Sequence, residues 1–237
     1  MENADRAPAS LAGDPAALKP RYFDVVAVIS VAVYLISQAA SAKLISIAGL
    51  VYPGAIILFP LAYIGNDVVT EVYGFAASRR VIWLSFAMAV LFSLVLWAVQ
   101  VLPAAPGWNH QRSYEVILGF VPRIIVASIV AFWAGDFANS FVLAKMKVAT
   151  RGRFLWARTI GSTVVGQAAD SVVFCVGAFL GLLPIGAILA MAATTYVTKC
   201  AYEAAATPLT YAIVGRLKRA EGVDVYDRGT NFTPFKF

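Results

Sequence analysis

The sequence is poor in charged residues and in the side chains that most enzymes use for metal or acid–base chemistry. Only 14% of its 237 residues are charged, against about 25% in ordinary globular domains. His110 is the single histidine, which excludes a histidine-based metal cluster or catalytic triad. No HExxH motif and no phosphate-binding GxxxxGK[ST] loop is present, so the chain cannot hydrolyse ATP by itself. The sequence therefore predicts neither an enzyme nor a cofactor.

The chain instead contains long apolar runs. It is 60% hydrophobic, with a mean hydropathy of +0.76. Six runs reach the ~20 residues that a spanning helix needs, namely residues 22–42, 53–73, 81–102, 116–144, 156–183 and 184–213. A soluble bundle would need polar outer faces, which these runs lack. The sequence predicts an all-α integral membrane protein with six transmembrane helices. The two cysteines, Cys175 and Cys200, lie inside these runs, where a structural disulfide is not expected.

The net charge of +6 is distributed along the chain as membrane topology requires. Basic residues cluster before the first run, between the second and third, between the fourth and fifth, and after the sixth, and only Lys43 and Arg112 fall on the other side. This bias places both termini in the cytoplasm. The basic residues are predicted to contact membrane lipids and not nucleic acid. The predicted organisation is a disordered leader over 1–20, a six-helix transmembrane domain over 21–216 and a cytoplasmic C-terminal tail over 217–237.

Three prolines each precede a charged residue by about four helical turns. The pairs are Pro53 with Asp67, Pro122 with Asp136, and Pro184 with Lys199. Proline is well tolerated at the first position of a helix, which puts each charge roughly 21–22 Å from its helix start. Ionisable residues at this depth usually face a polar cavity or one another. The pattern predicts a shared polar site, and hence a transporter or a channel.

Other polar residues fall in the same layer. Asn139 lies one turn after Asp136, and Gln167 lies one turn before Asp170. We expect Asp170 to be an unpaired carboxylate that, with Gln167, hydrogen-bonds the edge of a small planar heterocycle. Lys199 is expected to pair with Asp67, Asp136 or the substrate, or else to neutralise Glu203 four residues later.

Two further residues complete the candidate site. Phe59 belongs to a set of aromatic residues near this layer, and its ring could stack on a planar ligand. Arg123 follows a helix-start proline and either joins the site or snorkels to the interface. The predicted substrate-binding residues are Asp67, Asp136, Asn139, Gln167, Asp170, Lys199, Phe59 and Arg123. Glu71, by contrast, is predicted to be a structural partner of Arg79 or Arg80.

The C-terminal tail is unusually aromatic for a disordered segment. It carries Tyr226, Phe232, Phe235 and Phe237 within twelve residues. We expect it to fold back over the cytoplasmic mouth, with Asp227 reaching the arginines at 79–80 or 151–153. The alternative is a cluster of rings that rests in the lipid interface.

Several blocks of the chain resemble the signature of the queuosine precursor transporter family, also called the vitamin uptake transporter family. They are Phe59-Pro60-Leu61-Ala62-Tyr63, Asp67 to Gly74, Arg79 to Trp83, Trp156-Ala157-Arg158, Gln167 to Asp170, Tyr196 to Lys199, and Tyr226 to Phe235. The resemblance covers residues 22 to 237. Thr233 stands where the family pattern has asparagine, which is a small departure.

The resemblance implies a multi-pass protein of the bacterial inner membrane. Such a protein would import the deazaguanine bases 7-cyano-7-deazaguanine (preQ0) and 7-aminomethyl-7-deazaguanine (preQ1) for queuosine synthesis in tRNA. It also implies a fold similar to the substrate-binding components of energy-coupling-factor transporters. One alternative is a vitamin-binding membrane subunit that works with a separate ATPase module. An intramembrane hydrolase using Asp67 and Asp136 is disfavoured, since neither lies in a GxGD-like setting. The preferred precursor, the coupling ion and the oligomeric state stay open, a homodimer among the possibilities.

Overall fold

The computed structural model describes residues 20–40, 43–47, 50–118, 122–181 and 184–235. Within them the helices are α1 (Phe23–Ala40), α2 (Phe59–Val68), α3 (Phe75–Val101), α4 (Gln111–Leu118), α5 (Pro122–Ala149), α6 (Leu155–Phe179) and α7 (Ile185–Glu221). The strands β1 (Leu44–Ile47) and β2 (Leu50–Pro53) lie between α1 and α2, followed by a 3-10 helix at Gly54–Ile57. The predicted leader and Phe237 lie outside the described residues, apart from Pro20.

In the described ranges, four helices are long and apolar enough to cross a membrane. They are Phe23–Ala40, Phe75–Val101, Val126–Ala149 of α5 and Leu155–Gly177 of α6. Large apolar side chains such as Val28 and Trp97 are exposed on them, as expected where lipid replaces water as the solvent. These four helices coincide with the first, third, fourth and fifth predicted spans, and they confirm a helical membrane protein.

The second predicted span has a different structure from the one expected. Residues 44–53 form an antiparallel hairpin, with Leu44 opposite Pro53. Pro53 therefore ends a strand, and the expectation that it starts a helix is wrong. The helix begins at Phe59, with Pro60 in its first turn. The other two prolines behave as expected, since Pro122 begins α5 and Pro184 is the N-cap residue of α7.

The end of the second span is a π-helix. α2 runs without interruption into a π-helix over Val69–Tyr73, all five residues of which are buried. Gly74 ends it with φ 84°, and its N–H donates to the Thr70 carbonyl oxygen at 3.0 Å. This backbone conformation is open to glycine and strained for other residues, so glycine is well suited to end the π-helix here. Single π-helical turns are rare and occur often at functional sites.

Two glycines bring α5 and α6 into backbone contact. A Cβ placed on Gly166 would lie 2.8 Å from the Asn139 Cβ and 2.9 Å from the Gly135 carbonyl oxygen. A Cβ on Gly135 would lie 2.8 Å from the Asp170 Cβ. Small residues allow helices to approach this closely inside a membrane. The contact therefore sets the polar residues of α5 directly against those of α6.

The tail, residues 222–235, folds back on the bundle as expected. Both oxygens of the Asp227 carboxylate accept hydrogen bonds from the Phe75 N–H, at 3.0 and 3.2 Å. Asp227 thereby caps the start of α3, whose own N-cap residue, Gly74, has no side chain to do so. Its partner is thus a backbone amide, and the expected pairing with arginine side chains is wrong.

The rest of the tail is held by α3 and α5. Arg79 donates to the carbonyl oxygens of Asn231 and Thr233, both at 2.9 Å, and the Trp83 indole donates to that of Pro234 at 2.7 Å. The Phe232 ring packs against Phe75. We call this the tail end of the bundle, and the end at residues 44–57 the hairpin end.

Candidate functional site

The polar residues inside the bundle lie at successive depths between the hairpin end and the tail end. Nearest the hairpin end, the Lys199 ammonium of α7 forms an ion pair with the Asp170 carboxylate of α6. The same ammonium lies 5.3 Å from the centre of the Phe59 ring, a cation–π distance. Asp170 is therefore not the unpaired carboxylate that we expected. The partner of Lys199 is therefore none of the side chains that we expected, since among the described residues it forms no ion pair with Asp67, Asp136 or Glu203.

Asp136 lies beside this pair and is the carboxylate that faces open space. It lines a cavity of about 20 Å³ together with Tyr34, Asn66, Phe132 and Ser85. In the described part of the chain, its carboxylate makes no hydrogen bond or ion pair. The rings of Tyr34 and Phe132 stack with their centres 3.6 Å apart at the cavity wall. The cavity has room for about one water molecule, so a heterocycle would enter only if the surrounding helices moved apart.

Gln167 and Tyr63 join α6 to α2 at the next depth. The Tyr63 hydroxyl donates to the Gln167 side-chain oxygen at 3.2 Å. Because Gln167 is one turn from Asp170 on α6, its side chain lies on the same helix face as the Asp170–Lys199 pair. Gln167 is thus positioned by α2 and remains able to donate to a ligand.

Asp67 and Asn139 lie deeper, towards the tail end. The Asn139 side-chain N–H donates to the Asp67 carboxylate at 2.7 Å, and both side chains are buried. The Glu203 carboxyl group of α7 lies within hydrogen-bonding reach of Asp67. Asp67 therefore contacts a polar residue of α5 and an acidic residue of α7.

The last polar layer surrounds Glu71 at the tail end. Its buried carboxylate lies 2.6 Å from the Arg158 guanidinium, 2.7 Å from the Lys218 ammonium and 3.7 Å from the Lys147 ammonium. Lys147 and Lys218 also pair with Asp224 of the tail, at 2.6 and 2.9 Å. Glu71 is the structural partner that we expected, but its cations are not Arg79 and Arg80, which lie a helix turn beyond the π-helix.

The structure brings most of the predicted site residues together, in two groups. Phe59, Asp136, Gln167, Asp170 and Lys199 lie towards the hairpin end, and Asp67 with Asn139 lies towards the tail end. Arg123 is in the first turn of α5, and its side chain lies outside the part of the chain that the structure describes.

Sequence reasoning missed three residues that contribute to these groups. Tyr34 and Asn66 line the Asp136 cavity, and Glu203 lies against Asp67. Asn66 could have been found because it immediately precedes Asp67 in a polar Asn-Asp pair. Tyr34 lies in an otherwise apolar run, which carries no local signal of a site.

The arrangement suits recognition of a small polar ligand. Carboxylates at Asp136 and Asp170 can accept N–H groups, Lys199 and Gln167 can donate, and the Phe59, Tyr34 and Phe132 rings can stack on a planar face. Among the described residues there is no group of three or more histidine, cysteine, aspartate or glutamate side chains that could hold a metal ion. The polar layers inside the bundle can therefore bind a ligand through hydrogen bonds and charge.

Comparison with known proteins gives a consistent result. Residues 53–213 match the protein family described as "Putative vitamin uptake transporter". The chain is 30% identical to the "Probable queuosine precursor transporter" of Bacillus subtilis (strain 168), over 72% of this chain and 75% of that protein. It is 25% identical to the "Queuosine precursor transporter" of Escherichia coli (strain K12), over 51% of this chain and 52% of that protein. No solved structure matches the chain.

Proposed function

Because this chain belongs to the vitamin uptake transporter family, we propose that it imports queuosine precursors, with preQ0, preQ1 or both as substrates. Family membership confirms that the chain is a transporter and not an enzyme, and that it is a multi-pass protein of the bacterial inner membrane. The observation that carries the proposed substrate is the match to two relatives that both bear the name queuosine precursor transporter.

The proposed topology has six spans and cytoplasmic termini. The spans beyond the four apolar helices are the segment Phe59–Tyr73 and the first part of α7. Both carry the ionisable residues of the interior, which lowers their hydropathy but fits a transport pathway. The basic residues around Lys147, Arg158 and Lys218 support a cytoplasmic tail end. The likeness to the substrate-binding components of energy-coupling-factor transporters stays a prediction.

The proposed substrate site is the group of residues towards the hairpin end. Asp136 accepts the N–H and amino groups on the edge of the deazaguanine base, because it lines the cavity and has no partner within the part of the chain that the structure describes. Gln167 donates to the base carbonyl, and the Asp170–Lys199 ion pair forms one wall of the site. Tyr34, Phe132 and Phe59 contact the faces of the base. Since the cavity is small, the substrate-bound state is more open between α5 and the two helices α2 and α3 that also line the cavity.

The test is uptake in a bacterial strain that can neither make preQ0 nor import it. Expression of the full chain should restore queuosine in tRNA when preQ0 or preQ1 is supplied in the medium. An unchanged absence of queuosine, with the protein present in the membrane, would contradict the proposal.

A binding titration then separates the proposed function from the alternative of a vitamin-binding subunit. Purified full-length protein should bind preQ0 or preQ1 more tightly than guanine and should not bind biotin. Binding of biotin alone, together with co-purification of an ATPase, would favour the alternative.

A further inference from the structure

Two buried carboxyl groups in the bundle have no cation to balance them among the residues that the structure describes. Asp67 and Glu203 are each 1% exposed and lie within hydrogen-bonding reach of each other. In the described part of the chain no lysine or arginine lies within ion-pair distance of either. Glu71, one turn beyond Asp67, is equally buried but has three cations around it. Burial of two unpaired negative charges is prohibitively costly, so the pair needs a positively charged ligand.

Asn139 gives independent support for a ligand at this place. Its N–H donates to one Asp67 oxygen, which turns the amide towards the pair. The Asn139 side-chain oxygen, the other Asp67 oxygen and both Glu203 oxygens are buried without a hydrogen-bond partner among the described residues. Buried acceptors in proteins are almost always satisfied, so four unsatisfied oxygens on these three side chains indicate that the pair needs additional hydrogen atoms.

A proton fits these oxygens better than a metal cation. Sodium-like or divalent cations need about six oxygen ligands, often including free backbone carbonyl groups. Here the three residues lie within α2, α5 and α7, whose backbone carbonyl groups are engaged in the helices. A single proton converts two facing carboxylates into an O–H···O pair, and one carboxyl group of such a pair is known to hold its proton strongly.

We propose that Asp67 and Glu203 form a proton-binding site whose loading is coupled to substrate binding at the Asp136 cavity. The inference rests on the proposed function for its transport step. The proton comes from the aqueous solution, is held between the two carboxyl groups, and returns to solution on the other side of the membrane. The charge of the pair changes from −2 to −1, and no bond of the substrate is broken.

The coupling follows from two short connections. Asn66, which lines the cavity, immediately precedes Asp67 on α2. Asp136, also at the cavity, is one turn before Asn139 on α5. A substrate that separates α2 from α5 at the cavity therefore also changes the Asn139–Asp67 hydrogen bond. The π-helix that begins two residues after Asp67 is a place where α2 can change its register.

Other ionisable groups face the pair from each neighbouring helix. They are Tyr63 and Glu71 on the second span, Asp136 and Lys147 on α5, Arg158 and Asp170 on α6, and Lys199 and Cys200 on α7. Glu71 with its cations and Asp170 with Lys199 are already paired. Asp136 is the remaining carboxylate that could take up a proton, so it must be examined separately.

The experiment uses full-length protein reconstituted in liposomes, with two readouts. Infrared spectroscopy during a pH titration detects the C=O stretch of a protonated carboxyl group. Wild type should show this band near neutral pH, and both Asp67→Asn and Glu203→Gln should lose it. Asp136→Asn should retain the band, and Glu115→Gln, which changes an exposed carboxylate, is the control for the substitution itself.

The second readout is transport of labelled preQ0 or preQ1 by wild type. An inward proton gradient should drive accumulation above the equilibrium level, and its reversal should drive efflux. Exchange of substrate that ignores the proton gradient, or that follows a sodium gradient, would overturn the coupling while leaving the proposed function intact. Absence of any exchange would count against the proposed function, and the infrared band would then decide the proton site. A missing band in wild type, or a band that survives in both pair variants, overturns the site.

Discussion

At the scale of single residues, Asp136 is the acidic group that lines the cavity, and it has no hydrogen-bond or ion-pair partner among the described residues. Asp170 has Lys199, Glu71 has three cations, and Asp67 has Asn139. A carboxylate that faces a cavity without a partner is costly for the folded protein unless a ligand supplies donors. Asp136 is therefore the side chain from which the largest effect on substrate binding is expected.

We predict that Asp136→Asn weakens preQ0 or preQ1 binding by about 5- to 150-fold, equivalent to roughly 1–3 kcal/mol. An amide oxygen carries no charge, and the amide N–H groups would face the donors of the base. A titration of the purified protein measures the effect. Asp24→Asn, at an exposed carboxylate in the first turn of α1, is the matched control. Unchanged affinity in a well-folded Asp136→Asn protein would place the base elsewhere.

The Asp170–Lys199 pair leads to a second prediction at this scale. Removing one partner leaves the other charge largely buried, because the two side chains are 18% and 12% exposed. Asp170→Asn and Lys199→Met should each destabilise the protein by on the order of 3 kcal/mol. The double variant should recover most of the loss. Thermal unfolding of wild type, the two single variants and the double variant tests this. If the stability losses of the two single variants simply add in the double variant, the two side chains do not stabilise each other as an ion pair.

At the scale of elements, the decisive contact is the crossing of α5 and α6. Gly135 and Gly166 let the two backbones touch, and each is followed directly by a site residue, Asp136 and Gln167. The glycines thus determine the distance between the two helices that carry most of the proposed site. A wider separation would move every polar side chain on α5 away from those on α6.

We predict that Gly166→Ala destabilises the protein by about 1–3 kcal/mol and weakens substrate binding. The new methyl group would lie 2.8 Å from the Asn139 Cβ and 2.9 Å from a backbone oxygen, neither of which can move aside cheaply. Gly186→Ala, where nothing lies within 4 Å of the added group, should be neutral or slightly stabilising. The melting temperatures of the two variants test this prediction. Equal stability of Gly166→Ala and Gly186→Ala would contradict a close backbone contact between α5 and α6 at Gly166.

Element positions were predictable from the sequence where the signal is local. Long apolar runs predicted α1, α3, α5 and α6 because each run alone satisfies the length of a bilayer. The hairpin at 44–53 was missed because its apolar residues merge with the following helix, and hydropathy cannot separate a buried strand from a span. The Lys199–Asp170 pair was missed because it depends on how α6 and α7 are rotated against each other. No spacing within one helix contains that information.

At the scale of the whole molecule, the tail end is tied together by charges from distant parts of the chain. Glu71 lies between cations of α5, α6 and α7, and Glu221 accepts hydrogen bonds from the Tyr22 N–H and the Tyr73 hydroxyl, both at 2.7 Å. Partial burial alone would raise the pKa of the Asp224 carboxyl, but hydrogen bonds from Lys147 and Lys218 outweigh it and hold that pKa below its ordinary value.

This lowered pKa predicts how stability depends on acid. A carboxyl group whose pKa is lower in the folded state stabilises the protein above its unfolded pKa, which is about 3.9 for aspartate. The stabilisation is lost as the pH falls through the folded pKa. We expect the melting temperature to fall in acid and Asp224→Asn to remove part of that fall. Identical acid profiles for this variant, wild type and the exposed-site control Glu115→Gln would contradict the prediction.

The hydrogen bonds by which Asp227 caps the start of α3 form late in the biogenesis of the protein. Residues 222–235 leave the ribosome after α7, so α3 enters the membrane before its first amide group has a hydrogen-bond partner. The Lys147 and Lys218 contacts to Asp224 form at the same late stage. A nascent chain that stalls before this point holds a bundle whose face at the tail end is unsealed. Membrane proteases that survey that face would therefore distinguish finished copies from unfinished ones.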